Sequence, residues 1–230
     1  MSQTPPSFGP ELFDFLRQLR QNNGREWFAA NKERYEEHVK HPALRFISDF
    51  GPRLHGISDQ FMADPRPVGG SLFRIHRDVR FSPDKSPYKT SVGIQFRHKR
   101  HKDVHSPGFY LHLEPDGSFL GVGIWRPDGE TLRQIRNRLA ENPKSWQSTV
   151  GEKRFRRHFE LGGDTLQRPP RGFDAEHPLI EDLKRKDFFA STPFTDDAVT
   201  APGFLAEFER LSHTGAPLVR YLCDATDLSF

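Results

Sequence analysis

The segment between Arg74 and Lys89 concentrates the side chains that bind anions. It holds three arginines, two lysines, two aspartates, a histidine and a tyrosine. The planar guanidinium of arginine binds phosphate or carboxylate through paired hydrogen bonds, and lysine adds a point charge. Because two carboxylates cannot neutralise five cations, the segment predicts a binding site for an anionic, phosphate-bearing small molecule. The predicted ligand-binding residues are Arg74, Arg77, Asp78, Arg80, Asp84, Lys85, Tyr88 and Lys89.

Two of these residues have predicted supporting roles, and other interpretations of the segment remain open. Asp78 would orient an arginine, and Tyr88 would contact the ligand through its hydroxyl. In an enzyme that acts on the same ligand, Asp78 or Asp84 would be the general base and His76 a proton shuttle. Alternatively, the charges face water, form a salt-bridge lattice or brace the helices against the sheet. The sequence predicts no cofactor.

A second basic segment, residues 97–105, is the candidate contact for nucleic acid. It has no aromatic side chain before Phe109, so it offers no evident platform for base stacking. Its three histidines, His98, His101 and His105, could bind a metal ion, but the four neighbouring cations would repel one. These cations are Arg97, Lys99, Arg100 and Lys102. We therefore predict no metal site.

The charged segment must be positioned by the elements around it, and its first half has the alternation of a strand. A strand over residues 72–81 would place its apolar side chains on one face, and its charged side chains on the other. The apolar face would carry Phe73, Ile75, Val79 and Phe81. The charged face would carry Arg74, His76, Asp78 and Arg80. A loop bracketed by prolines would then hold residues 82–89 beside the arginines.

Further alternating segments predict an antiparallel sheet in the middle of the chain. They cover residues 91–97, 108–114 and 118–125, and the last two are joined by the turn signal Pro115-Asp116-Gly117. A short strand is also expected at Phe188-Phe189.

Helical periodicity dominates both ends of the chain. Three N-terminal helices are expected: one around residues 12–19, one over 27–39 that ends before Pro42, and one over 46–54. Asp128 is the expected N-cap of a later helix, and Pro217 is expected to open the last one. The predicted fold class is α+β, with a helical N-terminal third, a central antiparallel sheet and a helical C-terminal part. Residues 1–9 are expected to form a flexible tail, and residues 10–230 a single domain.

Composition limits the classes of partner and the cellular compartment. The 34 basic residues nearly balance the 31 acidic ones, giving a net charge of +3, so nucleic-acid binding would depend on local clustering. The polar N-terminus does not resemble a signal peptide, and no apolar run reaches the length of a membrane span, so no membrane association is expected. The lone cysteine, Cys223, is expected to fill the core. These features favour a cytoplasmic protein.

The charged motif also resembles a known family. Arg74-x-x-Arg77-Asp78-x-Arg80-Phe81, followed by Asp84-Lys85 and Tyr88, resembles the signature of a bacterial family called domain of unknown function 2461. Residues 22–28 (NNGREWF) and 121–127 (GVGIWRP) are similar to two further patterns of that family, so the resemblance covers nearly the whole chain. The family pattern more usually has three consecutive glycines here, and Val122 replaces the middle one. This departure argues against close approach of a ligand at that point. The resemblance implies no assigned activity, but it favours a defined motif over a plain solvated face.

Overall fold

The N-terminal part of the chain is helical, as predicted. The computed structural model describes residues 6–100 and 105–230. Its first helices are α1 (Glu11–Gln21), α2 (Arg25–Ala30), α3 (Lys32–Tyr35) and α4 (His41–Ile57), with a π-helical turn at Glu36–Lys40 between the last two. The first helix buries one apolar stripe, which consists of Leu12, Phe13, Phe15, Leu16 and Leu19. Phe8, which lies within the tail expected over residues 1–9, is buried against Phe46 and Phe204.

A six-stranded antiparallel sheet forms the centre of the described fold. Its strands are β1 (Phe61–Met62), β2 (Val92–His98), β3 (Gly108–Leu113), β4 (Ser118–Ile124), β5 (Glu160–Leu161) and β6 (Phe188–Phe194). They lie in the order β1-β2-β3-β4-β6-β5. The predicted strands 91–97, 108–114 and 118–125 are confirmed, and the strand at Phe188 is longer than predicted.

The C-terminal part is helical again, which confirms the α+β class. Its helices are α5 (Gly129–Glu141), α6 (Pro143–Gly151), α7 (Lys153–His158), α8 (Ile180–Leu183), α9 (Asp196–Thr200) and α10 (Phe204–Ala225). Asp128 caps α5 as predicted, because its carboxylate accepts a hydrogen bond from the Thr131 amide at 2.8 Å. No helix in residues 6–100 or 105–230 is long and apolar enough to cross a bilayer.

The core lies between one face of the sheet and the long helices α4 and α10. Phe208 of α10 contacts the rings of Phe46, Phe50 and Phe96, with centroids 4.9 to 6.0 Å away. Gly215 lets α10 approach β4, because a Cβ there would lie 2.7 Å from a Val122 methyl. Cys223 is buried in the same core, as predicted. The opposite face of the sheet is only partly covered.

The helix end predicted before Pro42 is confirmed, because the preceding π-helical turn ends at Lys40, but the helix start predicted at Pro217 is wrong. Pro42 lies in the first turn of α4, where a missing N–H breaks no intrahelical hydrogen bond. Pro217 lies inside α10 rather than at its start. Its ring faces solvent, as does His213 four residues earlier, so water can hydrate the carbonyl that the proline leaves unbonded. Buried residues on both sides of Pro217 hold the helix together.

Candidate functional site

The charged segment forms an irregular hairpin, and the regular strand predicted over residues 72–81 is wrong. Bridge pairing between its two arms is limited to one isolated bridge, between His76 and Tyr88. The arms are also linked by hydrogen bonds from the Arg77 amide to Pro87 and from the Lys89 amide to Ile75, at 2.9 and 2.8 Å. The predicted division into two faces holds only in part. Its charged members, Arg74, His76, Asp78 and Arg80, are exposed and Ile75 is buried, but Phe81 is exposed as well.

Local hydrogen bonding explains why the strand does not form. The Asp78 carboxylate accepts from the amide of Arg80 at 3.3 Å, and the Asp84 carboxylate accepts from the amide of Ser86 at 2.9 Å. Such aspartate turns compete with a ladder of backbone hydrogen bonds, and Pro83 has no N–H to donate to one. The ring of Phe81, expected on the apolar face, is 93% exposed.

Three of the predicted ligand-binding residues bond within the turn itself. Asp78 forms an exposed ion pair with Arg80 at 2.7 Å, and Lys85 donates to the carbonyl of Val79 at 3.0 Å. The hydrogen bond from Arg80 lowers the pKa of Asp78 to about 2. Such an acidic carboxyl is a weak general base, so the arrangement offers little support for Asp78 as the base of an enzyme.

The second arm of the hairpin is anchored to the N-terminal helices by Tyr88. Its buried ring stacks on Phe28 of α2 at a centroid distance of 4.1 Å, and the exposed His76 packs beside it at 5.3 Å. The Asn23 side chain pairs with the Tyr88 backbone, donating to its carbonyl at 2.9 Å and accepting from its amide at 3.1 Å. These contacts position the residues that follow Tyr88.

We expect Asn23→Ala to lower the free energy of unfolding by about 2 kcal/mol, because it leaves two partly buried backbone groups without partners. Chemical denaturation measures this loss. Asn22→Ala is the control, because the Asn22 side chain makes one exposed, local bond to Gln18. An equal effect of the two substitutions would contradict an anchoring role for Asn23.

The anchored arm and the end of α1 enclose a cleft of about 510 Å³. The cleft is polar and has both cations and hydroxyls on its walls. Its lining residues are Arg20, Asn23, Arg77, Asp84, Ser86, Tyr88, Lys89, Thr90 and Ser91. Four predicted residues, Arg77, Asp84, Tyr88 and Lys89, are thus brought together. Arg74, Asp78, Arg80 and Lys85 are not part of the lining.

The two arginines of the cleft are each paired with a carboxylate. Arg77 forms an ion pair with Asp84, and Arg20 forms one at 2.8 Å with Glu114, which directly follows β3. Hydrogen bonds from Ser86 and Arg77 lower the pKa of Asp84, so it stays ionised and is a weak base. Both arginines are therefore held in place with much of their charge compensated.

Lys89 differs from the arginines in that no carboxylate balances it. Across residues 6–100 and 105–230, no carboxylate oxygen lies within 4 Å of its amine. The amine lies 5.4 Å from the centre of the Phe73 ring. Burial lowers the pKa of Lys89, and the nearby positive charge of Arg74 lowers it further. An anion in the cleft would relieve both effects.

The second basic segment does not form one surface in the described residues. His98 is buried, with its Nε2 2.9 Å from the carbonyl of Ser229, and Arg97 donates to the carbonyl of Gly69 at 3.1 Å. Lys99 and Arg100 are exposed. His101 and Lys102 lie outside the described residues, so the nucleic-acid interpretation stays a prediction.

Arg20 and the hydroxyls of Thr90 and Ser91 are cleft residues that sequence reasoning missed. Asn23 lies in the NNGREWF stretch, whose similarity to a family pattern does not by itself indicate a binding role. Arg20 had no comparable signal, because an exposed arginine near the end of a helix is common. Arg20 is held at the cleft by its ion pair with Glu114, which is far away in sequence.

Comparison with known proteins gives one match. Residues 11–221 match the model of a family described as conserved hypothetical protein DUF2461. No curated protein and no solved structure matches the chain.

Proposed function

Because this chain belongs to the DUF2461 family of conserved hypothetical proteins, whose description names no activity, we propose a function from the chemistry of the cleft. The cleft binds a small molecule through a phosphate group. The observation that carries the proposal is Lys89, a half-buried cation that faces a polar cleft and has no carboxylate partner in the described part of the chain. Phosphate would supply the missing negative charge and accept hydrogen bonds from several donors at once.

The donors around Lys89 support this choice of ligand. Arg77 is held by Asp84, so its guanidinium loses little freedom when a phosphate binds. Arg20 is held in the same way by Glu114 on the other side of the cleft. The hydroxyls of Thr90 and Ser91 add neutral donors. An ion pair that orients an arginine is the role predicted for Asp78, and Asp84 is the residue that now fits it.

Catalysis at this cleft has weaker support than binding. Both aspartates of the charged segment have lowered pKa values, so neither is tuned as a base near neutral pH. His76 is exposed and is not part of the cleft lining.

The test is thermal unfolding in inorganic phosphate, with sodium chloride at matched ionic strength as the reference. Phosphate stabilises most proteins by exclusion from their surface, so a variant must isolate the specific part. At a phosphate concentration ten times the dissociation constant for phosphate, wild type should gain about 1.4 kcal/mol of stability from binding. We expect Lys89→Met to lose this gain. Lys144→Met, at an exposed lysine of α6, is the control and should respond like wild type. Equal phosphate responses in all three proteins would end the proposal.

A further inference from the structure

A second cavity, of about 400 Å³, lies on the face of the sheet that the long helices leave uncovered. Its walls are mostly aromatic: Phe73 comes from the charged segment, Phe119 from β4, Trp125 follows β4, and Phe189 comes from β6. Among residues 6–100 and 105–230, its lining includes no lysine, arginine, aspartate or glutamate. This cavity therefore has the opposite character to the cationic cleft.

Glycines keep the floor of the cavity flat. Gly93 of β2, beside the cavity and not in its lining, leaves space for the Tyr110 hydroxyl, because a Cβ there would lie 2.6 Å from that oxygen. Gly108 and Gly123, paired across β3 and β4, also lack room for a Cβ, whereas Gly121 has room. A Cβ on Gly121 would meet no atom closer than 3.6 Å, the nearest being in the Phe119 ring. A flat floor with aromatic walls suits a planar ring.

One polar group in this cavity has a defined orientation. The Tyr110 hydroxyl lies 3.1 Å from His112 Nδ1, and His112 Nε2 lies 3.1 Å from the Glu114 carboxylate. A carboxylate only accepts hydrogen bonds, so neutral His112 carries its proton on Nε2 and accepts from Tyr110 through Nδ1. Arg20 holds Glu114 from behind at 2.8 Å. The Tyr110 proton is thus directed at His112, and the phenolic oxygen keeps its lone pairs for another donor.

We propose that this cavity binds a neutral, planar aromatic molecule whose ring N–H or O–H donates a hydrogen bond to the Tyr110 oxygen. The aromatic walls and glycine floor select a flat ring. The lack of ionised side chains among the described wall residues selects a neutral one, and Tyr110 selects a donor. The cavity is distinct from the cationic cleft, because no residue lines both.

The first experiment compares three probes by ligand-observed NMR titration: indole, N-methylindole and cyclohexanol. Indole is planar and has a donor, N-methylindole lacks the donor, and cyclohexanol has a donor but no flat ring. We expect indole to bind about fivefold more tightly than N-methylindole, as one net hydrogen bond allows, and cyclohexanol not to bind. Tyr110→Phe keeps the ring and should abolish the preference for indole. Absence of indole binding, or equal binding of the three probes, would overturn the proposal.

The second experiment fills the cavity without disturbing the fold. Gly121→Val places its side chain over the floor, where the added Cβ has room, so its melting temperature should be at or above that of wild type. We expect this variant to lose indole binding, while Gly151→Val, at a glycine with open space at the end of α6, keeps it. Indole binding that survives in Gly121→Val would overturn the proposal. So would sedimentation showing that wild type, but not Gly121→Val, is a dimer closed over this face. Inorganic phosphate should not compete with indole. The proposal for this cavity and the proposal for the cationic cleft can therefore be contradicted separately.

Discussion

Gly123→Ala should lower the free energy of unfolding by about 3–5 kcal/mol, although it adds a single methyl group at a half-buried strand position. Two causes combine at this residue. Its φ of +118° lies in a region that side-chain-bearing residues rarely adopt, which costs about 1–3 kcal/mol. The added Cβ would also lie 2.8 Å from the Cα of Phe189, and still closer to the carbonyl oxygen of Phe188 on the neighbouring strand.

The matched control lies two residues away on the same strand and face. Gly121 has no positive φ, and a Cβ there makes ordinary contacts. Gly121→Ala should therefore be neutral, or stabilise the protein by about 0.5–1 kcal/mol, because alanine loses less backbone entropy than glycine in a strand. Urea denaturation of the two variants measures the difference. If both stay within 1 kcal/mol of wild type, the close approach of β4 and β6 at Gly123 is wrong.

This pair of glycines also shows where sequence reasoning stopped. The glycines of GVGIWRP lie in the strand predicted over residues 118–125, because alternation is a local signal. Which glycine is irreplaceable depends on β6, whose register pairs Gly123 with Phe189. Strand β6 lies far along the chain, so the sequence near Gly123 contains no trace of that contact.

The predictable strands share a simple physical feature. Alternating residues such as Phe109 and Leu111 are buried against the long helices, so the period of the sequence matches the burial on the sheet. The charged segment has the same period but lacks that partner. There, Asp78 and Asp84 satisfy nearby amides with their own side chains, and the chain turns instead of extending.

Only some of the cleft residues were predictable from the sequence. Lys89 and Arg77 were proposed for charge alone, and both line the cleft. Asp78 and Arg80 have the same residue types, yet they pair with each other in an exposed turn. Composition cannot separate the two cases, because the distinction depends on which side chains the irregular hairpin places at the cleft.

The remaining large effect is expected at Tyr88, and it separates bracing from binding within the motif. Tyr88→Ala should lower the free energy of unfolding by about 3–5 kcal/mol, since it removes a buried ring stacked on Phe28. Tyr88→Phe keeps the stack and should stay within about 1 kcal/mol of wild type. Denaturant titration of both variants tests this division.

The phosphate response of Tyr88→Phe then decides whether the hydroxyl is a ligand contact, as the sequence predicted. If it is, the variant should be as stable as wild type but gain less from phosphate, because one donor is missing. If the full gain remains, Tyr88 only braces the arm, and recognition belongs to Lys89 and the arginines beside it. A large stability loss in Tyr88→Phe itself would instead mean that the hydroxyl supports the fold, contrary to the stacking argument. The experiment therefore shows whether the Tyr88 ring braces the arm while its hydroxyl binds phosphate. The residue types of the motif do not separate these two roles.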